Sequence, residues 1–323
     1  MSDSEPLAVQ DAVVVGGGPA GLAAATWLAR YRRRVVVIDS NEYRNAWVDK
    51  AHGYLGSDPM DPTALREQAR HDLARYPDAL VRERVRVCEI TKNADEFVLD
   101  LDDGSRVRAL RVVLATGVRD AFPEIEGFFE HYGADVFHCP TCDGYELAGR
   151  DVVAIGWNEH LAGFSLNLLD WARSVTIITE GRRFQGDDET REALARHGVR
   201  LLEEDAVAFL GERGALQGVR LRSAEEIGCQ AAAFSIAHHA RNDLAQQLGC
   251  ELAEAGCVKV DDSCETTVPG VYAAGDLTPG IQLVQIAAAK GAVAGIACAQ
   301  SLRGEQGSPA SPEPGPDPEE ELS

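Results

Sequence analysis

A glycine-rich turn between a buried strand and a helix is the feature that most restricts the fold of this chain. The apolar run Ala12–Val15 leads into Gly16-Gly17-Gly18-Pro19-Ala20-Gly21, then an Ala- and Leu-rich stretch to about Arg30 and a second apolar run ending at Asp39. This order predicts strand, turn, helix and strand, with G-x-G-x-x-G at the turn. Compared with an incidental glycine turn, it favours dinucleotide binding. The helix N-terminus offers N–H groups to a pyrophosphate, and Asp39 is placed to accept a hydrogen bond from a ribose.

A second short motif, Cys139-Pro140-Thr141-Cys142, indicates redox chemistry. Two thiols this close form a disulfide with little backbone movement and reopen it through the thiolate of lower pKa. Half of a zinc site, with His138 as a further ligand, is the alternative, but no second Cys or His pair occurs at similar spacing. The other cysteines are interpreted as small core or surface residues: Cys88, Cys229, Cys250, Cys257, Cys264 and Cys298.

Length and charge exclude several classes of function. A chain of 323 residues is long enough for two domains, and a net charge of −21 argues against a nucleic-acid or anionic-membrane partner. The acidic N-terminus lacks the order of a secretory signal, and no apolar run reaches the length of a membrane span. We therefore expect a cytoplasmic protein, where a CxxC is more often catalytic than structural.

Residues 303–323, acidic and rich in proline, are expected to be a disordered tail.

The strand–turn–helix pattern occurs twice, which predicts an α/β fold with two Rossmann-like, three-layer ββα domains. Asp151–Gly156 predicts a second glycine-ended strand, followed by a helical stretch to Arg173 and a strand from Val175 to Thr179. Between the two units, apolar and polar residues alternate over residues 96–113, as in a small antiparallel meander. Late in the chain, a strand that begins at Thr267 is expected to end on the pair Gly275-Asp276, and a helix is expected from Ile286 to Leu302.

Four motifs in this order resemble the low-molecular-weight thioredoxin reductase family. They are Gly16 to Gly21, Ala115-Thr116-Gly117, Cys139 to Gly144, and Tyr272 to Asp276, and the resemblance covers roughly residues 10–300. It implies a discontinuous FAD-binding domain, 8–118 and 245–302, that encloses a pyridine-nucleotide-type domain, 119–244, carrying the CxxC.

The same resemblance implies roles for individual residues. Cys142 would lie nearer the flavin, Cys139 would exchange with the substrate, and Asp143 would be the catalytic acid. Thiol exchange needs a carboxyl that changes state near neutrality, and an apolar flavin face would raise the pKa of Asp143 toward that range. The FAD-contacting set is expected to comprise Gly16, Gly18, Pro19, Ala20, Gly21, Asp39, Ser40, Asn45, His52, Ala115, Thr116, Gly117, Gly275, Asp276, Gln282, Leu283 and Val284.

The chain departs from the family pattern at the second turn. Of the second glycine fingerprint only Gly156 remains; Trp157 and Asn158 follow it, and Leu161 stands where a small residue should pack. Glu180 follows the next strand and would repel a 2′-phosphate, although Arg182-Arg183 remain able to form a basic site. NADPH binding in the usual mode is therefore doubtful, and no metal is expected.

Two directions of electron flow remain open. The chain resembles a thioredoxin reductase that reduces a protein or small disulfide. It also resembles two other branches of the family. One is the dithiol oxidases, which close disulfides in small molecules and return electrons to O2; the other is the reductases that receive electrons from a separate carrier. In the oxidases His often follows the CxxC, and His138, His238 or His239 are alternatives to Asp143 as the base. A non-catalytic redox sensor is a minor alternative. The sequence does not name the substrate or the oligomeric state, although relatives are usually homodimers.

Overall fold

The computed structural model describes residues 9–303 and shows a mixed α/β fold. Its strands, in chain order, are β1 (Gln10–Val15), β2 (Val35–Asp39), β3 (Ala79–Glu83), β4 (Val87–Asn93), β5 (Glu96–Leu101), β6 (Arg106–Leu114), β7 (Val118–Asp120), β8 (Val136–Phe137), β9 (Asp151–Gly156), β10 (Ser174–Ile178), β11 (Arg200–Leu202), β12 (Ala206–Glu212), β13 (Ala215–Leu221), β14 (Glu226–Gly228), β15 (Ala231–Ser235), β16 (His238–Ala240) and β17 (Val271–Ala273). Its α-helices are α1 (Pro19–Arg30), α2 (Pro62–Leu73), α3 (Phe128–His131), α4 (Pro140–Asp143), α5 (Leu161–Leu168), α6 (Asp188–Arg196), α7 (Asp243–Gln247) and α8 (Val284–Ser301).

The first sheet has seven strands in the described part of the chain, in the order β3-β2-β1-β6-β5-β4, with β17 also paired to β6. Strands β3, β2, β1, β6 and β17 run parallel, whereas β4 and β5 form an antiparallel meander with β6. Both faces of the sheet are covered at its centre, so β2 is buried at all five residues and β17 at all three. Their carboxyl ends therefore meet at one edge, where ligands of such sheets bind.

The second sheet repeats the parallel design with strands from the middle of the chain. Its order is β11-β10-β9-β15-β8, and a separate antiparallel sheet, β12-β13-β14, lies beside it. The short ribbon of β7 and β16 pairs the segment that leaves the first sheet with the segment that returns to it. This distribution of strands supports the proposed division into an outer unit, 8–118 and 245–302, and an inserted unit, 119–244. The prediction of two Rossmann-like domains is confirmed.

Several predicted elements have different ends in the structure. The helix predicted to reach Arg173 ends at Leu168, because the chain turns there to place Trp171 beneath the CxxC segment. Of the strand predicted to run from Thr267 to the pair Gly275-Asp276, only Val271–Ala273 pairs with β6, since the preceding residues form a turn. Of the predicted tail only Arg303 is described; residues 304–323, like the acidic N-terminal residues 1–8, lie outside the described residues. Within residues 9–303 no helix combines the length and apolarity needed to cross a bilayer.

Helices α1 and α8 pack against each other through glycines that allow backbone contact. A Cβ on Gly291 would lie 2.0 Å from the carbonyl oxygen of Ala20, and one on Gly295 would lie 2.5 Å from that of Ala24. Both distances are shorter than real Cβ contacts, so any side chain would force the helices apart. This packing holds the C-terminal helix directly on the helix that follows the first glycine turn.

We predict that Gly295→Ala lowers the free energy of unfolding by about 1–3 kcal/mol, because the added methyl group overpacks the contact between α1 and α8. The matched control is Gly163→Ala in α5, where a Cβ would have nothing within 4 Å. There the better helix propensity of alanine should leave stability unchanged or raise it by up to ~1 kcal/mol. Urea titrations of both FAD-loaded variants measure the difference. Equal stability of the two variants would contradict the packing argument.

Candidate active site

One cavity of about 1200 Å³ runs from the first glycine turn to the CxxC. Its walls come from the carboxyl ends of β1, β2, β6 and β17, from residues 42–54, and from α4 of the inserted unit. This volume exceeds the roughly 300–1000 Å³ that is usual for a single small ligand. The cavity therefore has room for a dinucleotide together with part of a substrate.

The first glycine turn has the geometry of a pyrophosphate cradle. Gly16 has φ +110°, and a Cβ there would lie 2.3 Å from the Ala115 carbonyl oxygen. A Cβ on Gly21 would lie 1.8 Å from the carbonyl oxygen of Gly16, whereas one on Gly18 would meet nothing within 4 Å and would enter the cavity. Gly16 and Gly21 are thus required by the protein's own packing. Gly18 leaves open the space that a pyrophosphate would fill, so the turn fits FAD.

Asp39 ends β2 as the sequence predicts, but its carboxylate already has protein partners. Its Oδ1 accepts a hydrogen bond from Asn41 N at 3.1 Å, and its Oδ2 accepts from Arg70 Nη2 at 2.8 Å and from the Tyr43 hydroxyl. The side chain is 3 % exposed. A ribose hydroxyl would therefore join an existing network that holds the carboxylate in place.

The other predicted cofactor residues converge on the same cavity. Among the predicted FAD-contacting residues only Gly21 does not line it, and Gly21 acts through the turn's packing. Those that line it are Gly16, Gly18, Pro19, Ala20, Asp39, Ser40, Asn45, His52, Ala115, Thr116, Gly117, Gly275, Asp276, Gln282, Leu283 and Val284. Their role as cofactor ligands remains a prediction.

Cys139 and Cys142 form a disulfide at the start of α4, and both line the cavity. Cys139 occupies the N-cap position, and its sulfur accepts a hydrogen bond from Cys142 N at 3.2 Å. Packing requires a glycine at position 144, since a Cβ there would lie 2.6 Å from the Trp171 ring. The CxxC turn is thus seated closely on the inserted unit while its sulfurs face the cavity.

Asp143 has the pKa of a group that exchanges protons near neutrality. Burial raises the pKa of its carboxyl to about 7; among the nearby charges, His52 lowers it and Glu146 raises it. The side chain lines the same cavity as the disulfide. A carboxyl in this state is suited to accept a proton from a thiol and return it.

The three histidines named as alternative bases have different surroundings. His138 lines the cavity, and its Nδ1 lies 3.0 Å from the Tyr132 hydroxyl; burial lowers its pKa to about 4, so the ring is neutral at pH 7. His239 also lines the cavity. His238 does not, and its Nε2 lies 3.2 Å from Gln282 Nε2. Asp143 therefore fits the role of proton acceptor better than His138 or His238 does.

Arg44 connects three segments at the cavity in a way that the sequence does not reveal. Its guanidinium donates to both carboxylate oxygens of Asp120, at 2.7 and 2.6 Å, to Gln282 Oε1 at 2.6 Å and to Asp276 Oδ2 at 3.2 Å. Asp120 belongs to β7, which leads toward the inserted unit, and Gln282 precedes α8. Only the tertiary fold brings these distant residues together, so no local pattern could have identified the network.

At the second glycine turn, side chains of the protein occupy the space around the backbone. Asn158 Nδ2 donates to the carbonyl oxygens of Ser235 at 3.0 Å and Ile236 at 2.7 Å, and its Oδ1 accepts from His160 N at 3.0 Å. The Arg182 guanidinium lies over the Trp157 ring, 4.1 Å from its centroid. Asn158 thus takes up an N–H group at the start of α5 and ties the turn to the end of β15.

Glu180 was expected to repel a 2′-phosphate, but its carboxyl has a protein partner and a raised pKa. Its Oε1 accepts a hydrogen bond from Ala206 N at 3.2 Å, and burial raises its pKa to about 7. The carboxyl therefore carries only part of a negative charge at neutral pH. The doubt about NADPH rests on Asn158, Trp157 and Arg182 rather than on Glu180.

The remaining cysteines follow the interpretation from sequence. Cys88 is exposed, and the other five free cysteines are buried. Within residues 9–303, His, Cys, Asp and Glu side chains do not converge in a group of three that would hold a metal.

Comparison with known proteins gives one consistent result. The family model described as pyridine nucleotide-disulphide oxidoreductase matches residues 10–291. The chain is 32% identical over 314 residues to "Thioredoxin reductase tcpT" of Claviceps purpurea (strain 20.1), covering 89% of this chain and 92% of that one. It is 30% identical over 301 residues to "Thioredoxin reductase sirT" of Leptosphaeria maculans, covering 88% and 92%. The crystal structure of HlmI superposes with a TM-score of 0.85 at 33% identity, over 93% of this chain and 95% of that chain.

We predict that Gly18→Val yields folded protein without FAD, because the new side chain has space in the protein but occupies the pyrophosphate position. Gly21→Val is the matched comparison, and its Cβ collides with the turn itself, so it should lose both FAD and stable folding. Flavin absorbance per protein and circular dichroism measure the two effects. Stoichiometric FAD in Gly18→Val would refute the assignment of this turn.

We predict that the rate of reaction with a dithiol rises as the pH passes about 7, where Asp143 loses its proton and can accept one from a substrate thiol. Asp143→Asn should lose this step and be slower by about 10²-fold above pH 7. Because the pKa of the folded state lies above the ordinary value, the wild type should also lose stability relative to Asp143→Asn as the pH rises from about 4 to 7. Glu192→Gln, on the exposed face of α6, is the control. An unchanged pH profile in Asp143→Asn would rule out this role.

Proposed function

This chain belongs to the pyridine nucleotide-disulphide oxidoreductase family and is a thioredoxin-reductase-like, FAD-dependent oxidoreductase, and from that premise we propose its reaction. It exchanges electrons between a dithiol or disulfide substrate and FAD through Cys139 and Cys142, without NADPH. One observation carries the proposal: the disulfide and the first glycine turn open into the same cavity of about 1200 Å³. A substrate sulfur that reaches Cys139 is then inside the site that holds the flavin.

The thiol chemistry follows from the positions of the two cysteines and Asp143. A substrate thiolate attacks Cys139, the Cys139–Cys142 bond breaks, and Cys142 leaves as a thiolate. The second substrate thiol then displaces Cys139, so the substrate gains an S–S bond and loses two electrons and two protons. Asp143 accepts and returns the proton of the thiol nearest to it. Bound FAD would supply the two-electron acceptor, and O2 as final oxidant would take two electrons and two protons to give hydrogen peroxide.

The second turn favours a dithiol over NADPH as the source of electrons. The Asn158 side chain bonds the turn to β15 and takes the His160 N–H group that a phosphate would otherwise use. Releasing these hydrogen bonds would cost about 0.5–1.5 kcal/mol each. Direct reduction of a protein or small disulfide remains the second candidate, with a separate electron carrier as the source; relatives named thioredoxin reductase favour it. We further propose a cytoplasmic homodimer.

The deciding experiment is anaerobic reduction of the FAD-loaded protein, followed at the flavin absorbance. We predict that a small dithiol bleaches the flavin within seconds, whereas NADPH and NADH at the same concentration do so slowly or not at all. Admission of air should restore the absorbance and release one hydrogen peroxide per dithiol oxidised. Rapid bleaching by micromolar NADPH would contradict the proposal and assign Arg182 and Arg183 to the 2′-phosphate.

Cysteine variants in the same experiment test the route of the electrons. Cys139→Ser and Cys142→Ser should both keep FAD and lose turnover; Cys139→Ser alone should show the long-wavelength absorbance of a thiolate beside the flavin. Cys88→Ser, which removes an exposed thiol outside the CxxC, is the matched control and should behave as wild type. Wild-type turnover in both CxxC variants would show that this pair is not the redox centre.

A further inference from the structure

Two arginines of α2, Arg66 and Arg70, hold one wall of the cavity from outside it. They lie one helical turn apart, so their side chains project from the same face of the helix. Neither lines the cavity, whereas the side chains that they contact, those of Asp39, Tyr43 and Asn45, belong to residues that do. The two arginines therefore act on the cavity wall through other side chains.

The contact of Arg70 with Asp39 is nearly closed to solvent. Arg70 Nη2 donates to Asp39 Oδ2 at 2.8 Å, and the two side chains are 19% and 3% exposed. The Tyr43 hydroxyl donates to the same oxygen, and burial raises the pKa of this hydroxyl, so it keeps its proton at neutral pH. Because hydrogen bonds to charged groups are strong and depend on geometry, these two donors fix the orientation of the Asp39 carboxylate.

The orientation of Asp39 matters to the first glycine turn because the carboxylate packs directly against it. A Cβ on Gly17 would lie 2.1 Å from Asp39 Oδ2 and 2.3 Å from Asp39 Cγ. The oxygen that Arg70 holds is therefore the atom that supports the middle glycine of the turn. A carboxylate that left this position would open a gap behind the turn or displace its backbone. Arg70 thus reaches the turn through a single intervening side chain.

Arg66 acts on the next part of the same wall. Its Nη1 donates to Asn45 Oδ1 at 2.8 Å, and its Nη2 donates to Thr63 Oγ1 at 2.9 Å. Its guanidinium also lies 4.1 Å from the centroid of the Tyr43 ring. The residue is 4% exposed, so solvent hardly competes for these contacts. They fix the side chains of Asn45 and Tyr43 at the cavity.

We propose that Arg66 and Arg70 are positioning residues for the cofactor: they hold Asp39 against Gly17, and Asn45 at the cavity, before FAD binds. The wall that they hold is the one that receives the adenosine and pyrophosphate of a dinucleotide in such folds. The inference rests on the proposed function, because it concerns the FAD that accepts the electrons. Both arginines lie outside the cavity and take no part in the electron transfer. A wall that is already in place lowers the cost of binding, so their effect appears in the affinity.

The test measures how tightly Arg70→Met holds FAD. Dilution of the FAD-loaded protein releases flavin, whose recovered fluorescence gives the Kd, and added ADP competes for the wall in question. We expect the Kd values of FAD and ADP both to rise by about 10- to 100-fold, as for a lost hydrogen bond to a charged group. Arg75→Met is the matched control: it removes an exposed arginine just beyond α2 that pairs with Asp72, and it should keep both wild-type values.

Two further variants separate positioning from a general loss of folding. Because Arg70 meets Asp39 through one nitrogen, Arg70→Lys can keep this contact, and its Kd of FAD should stay within about threefold of wild type. In the Asp39→Asn background, Arg70→Met should change the Kd by less than about twofold, because its effect passes through that carboxylate. A merely structural role would lower the unfolding temperature of Arg70→Met without producing either result.

Arg66→Met keeps the test decisive should Arg70→Met fold poorly. Arg66 meets only the neutral groups of Asn45, Thr63 and Tyr43, so its removal leaves no buried charge without a partner. The Kd of FAD should rise by about two- to tenfold in this variant, as for one lost neutral hydrogen bond.

The outcomes distinguish this inference from the proposed function. If folded Arg70→Met and Arg66→Met hold FAD and ADP as wild type does, the positioning role is refuted while the redox assignment stands. An equal loss of affinity from Arg70→Met with and without Asp39→Asn would also refute it, because Arg70 would then not act through Asp39. If wild type itself binds no FAD, the proposed function fails.

Discussion

The structure depends on backbone contacts at the first turn of α1. Within that turn a Cβ on Gly21 would overlap the carbonyl oxygen of Gly16. From the far end of the chain, Gly291 approaches Ala20 O, and a Cβ on Gly275 would lie 2.8 Å from Ala20 Cβ. These contacts permit glycine alone, because dense packing leaves no volume for a side chain. The same residues that shape the phosphate turn therefore draw the C-terminal Gly275-Asp276 segment and α8 onto it.

The inserted unit is joined to this assembly through polar contacts at the cavity. Arg44 holds Asp120, Asp276 and Gln282 in one half-buried network. Farther from the cavity, Arg213 of the inserted unit donates to Asp49 at 2.7 Å. Hydrogen bonds to charged groups are stronger than neutral ones and depend on geometry, so they orient the two units. The rings of Trp47 and Phe129, with centroids 4.9 Å apart, add an apolar contact between the units. This orientation places α4 and its disulfide opposite the glycine turn.

Local pattern predicted most of the fold but only part of the site. Both βαβ units, the turn at Gly16–Gly21 and the CxxC are visible in sequence because each is encoded within about thirty residues. The predicted end of α5 and the predicted length of β17 were wrong by several residues. Packing beneath the CxxC decides where α5 ends, and pairing with β6 decides the length of β17. The contacts of Arg44, and the contact of Arg70 with Asp39, join segments that are distant in sequence, and composition carries no signal for such contacts.

The two glycine turns share one architecture but differ in the side chains around them. In the first, Gly18 has open space where a side chain would stand, and the backbone N–H groups of α1 face a cavity. In the second, a Cβ on Gly156 would lie 2.2 Å from the carbonyl oxygen of Ser235, so the strand–turn geometry is retained. Asn158 then bonds across to Ser235 and Ile236, and Trp157 is covered by Arg182. The inserted unit thus keeps the fold that carries the CxxC, while the Asn158 side chain accepts the hydrogen bond of the His160 N–H group at its second turn. Under the proposed function, electrons that a dithiol brings into the cavity need no contribution from that second turn.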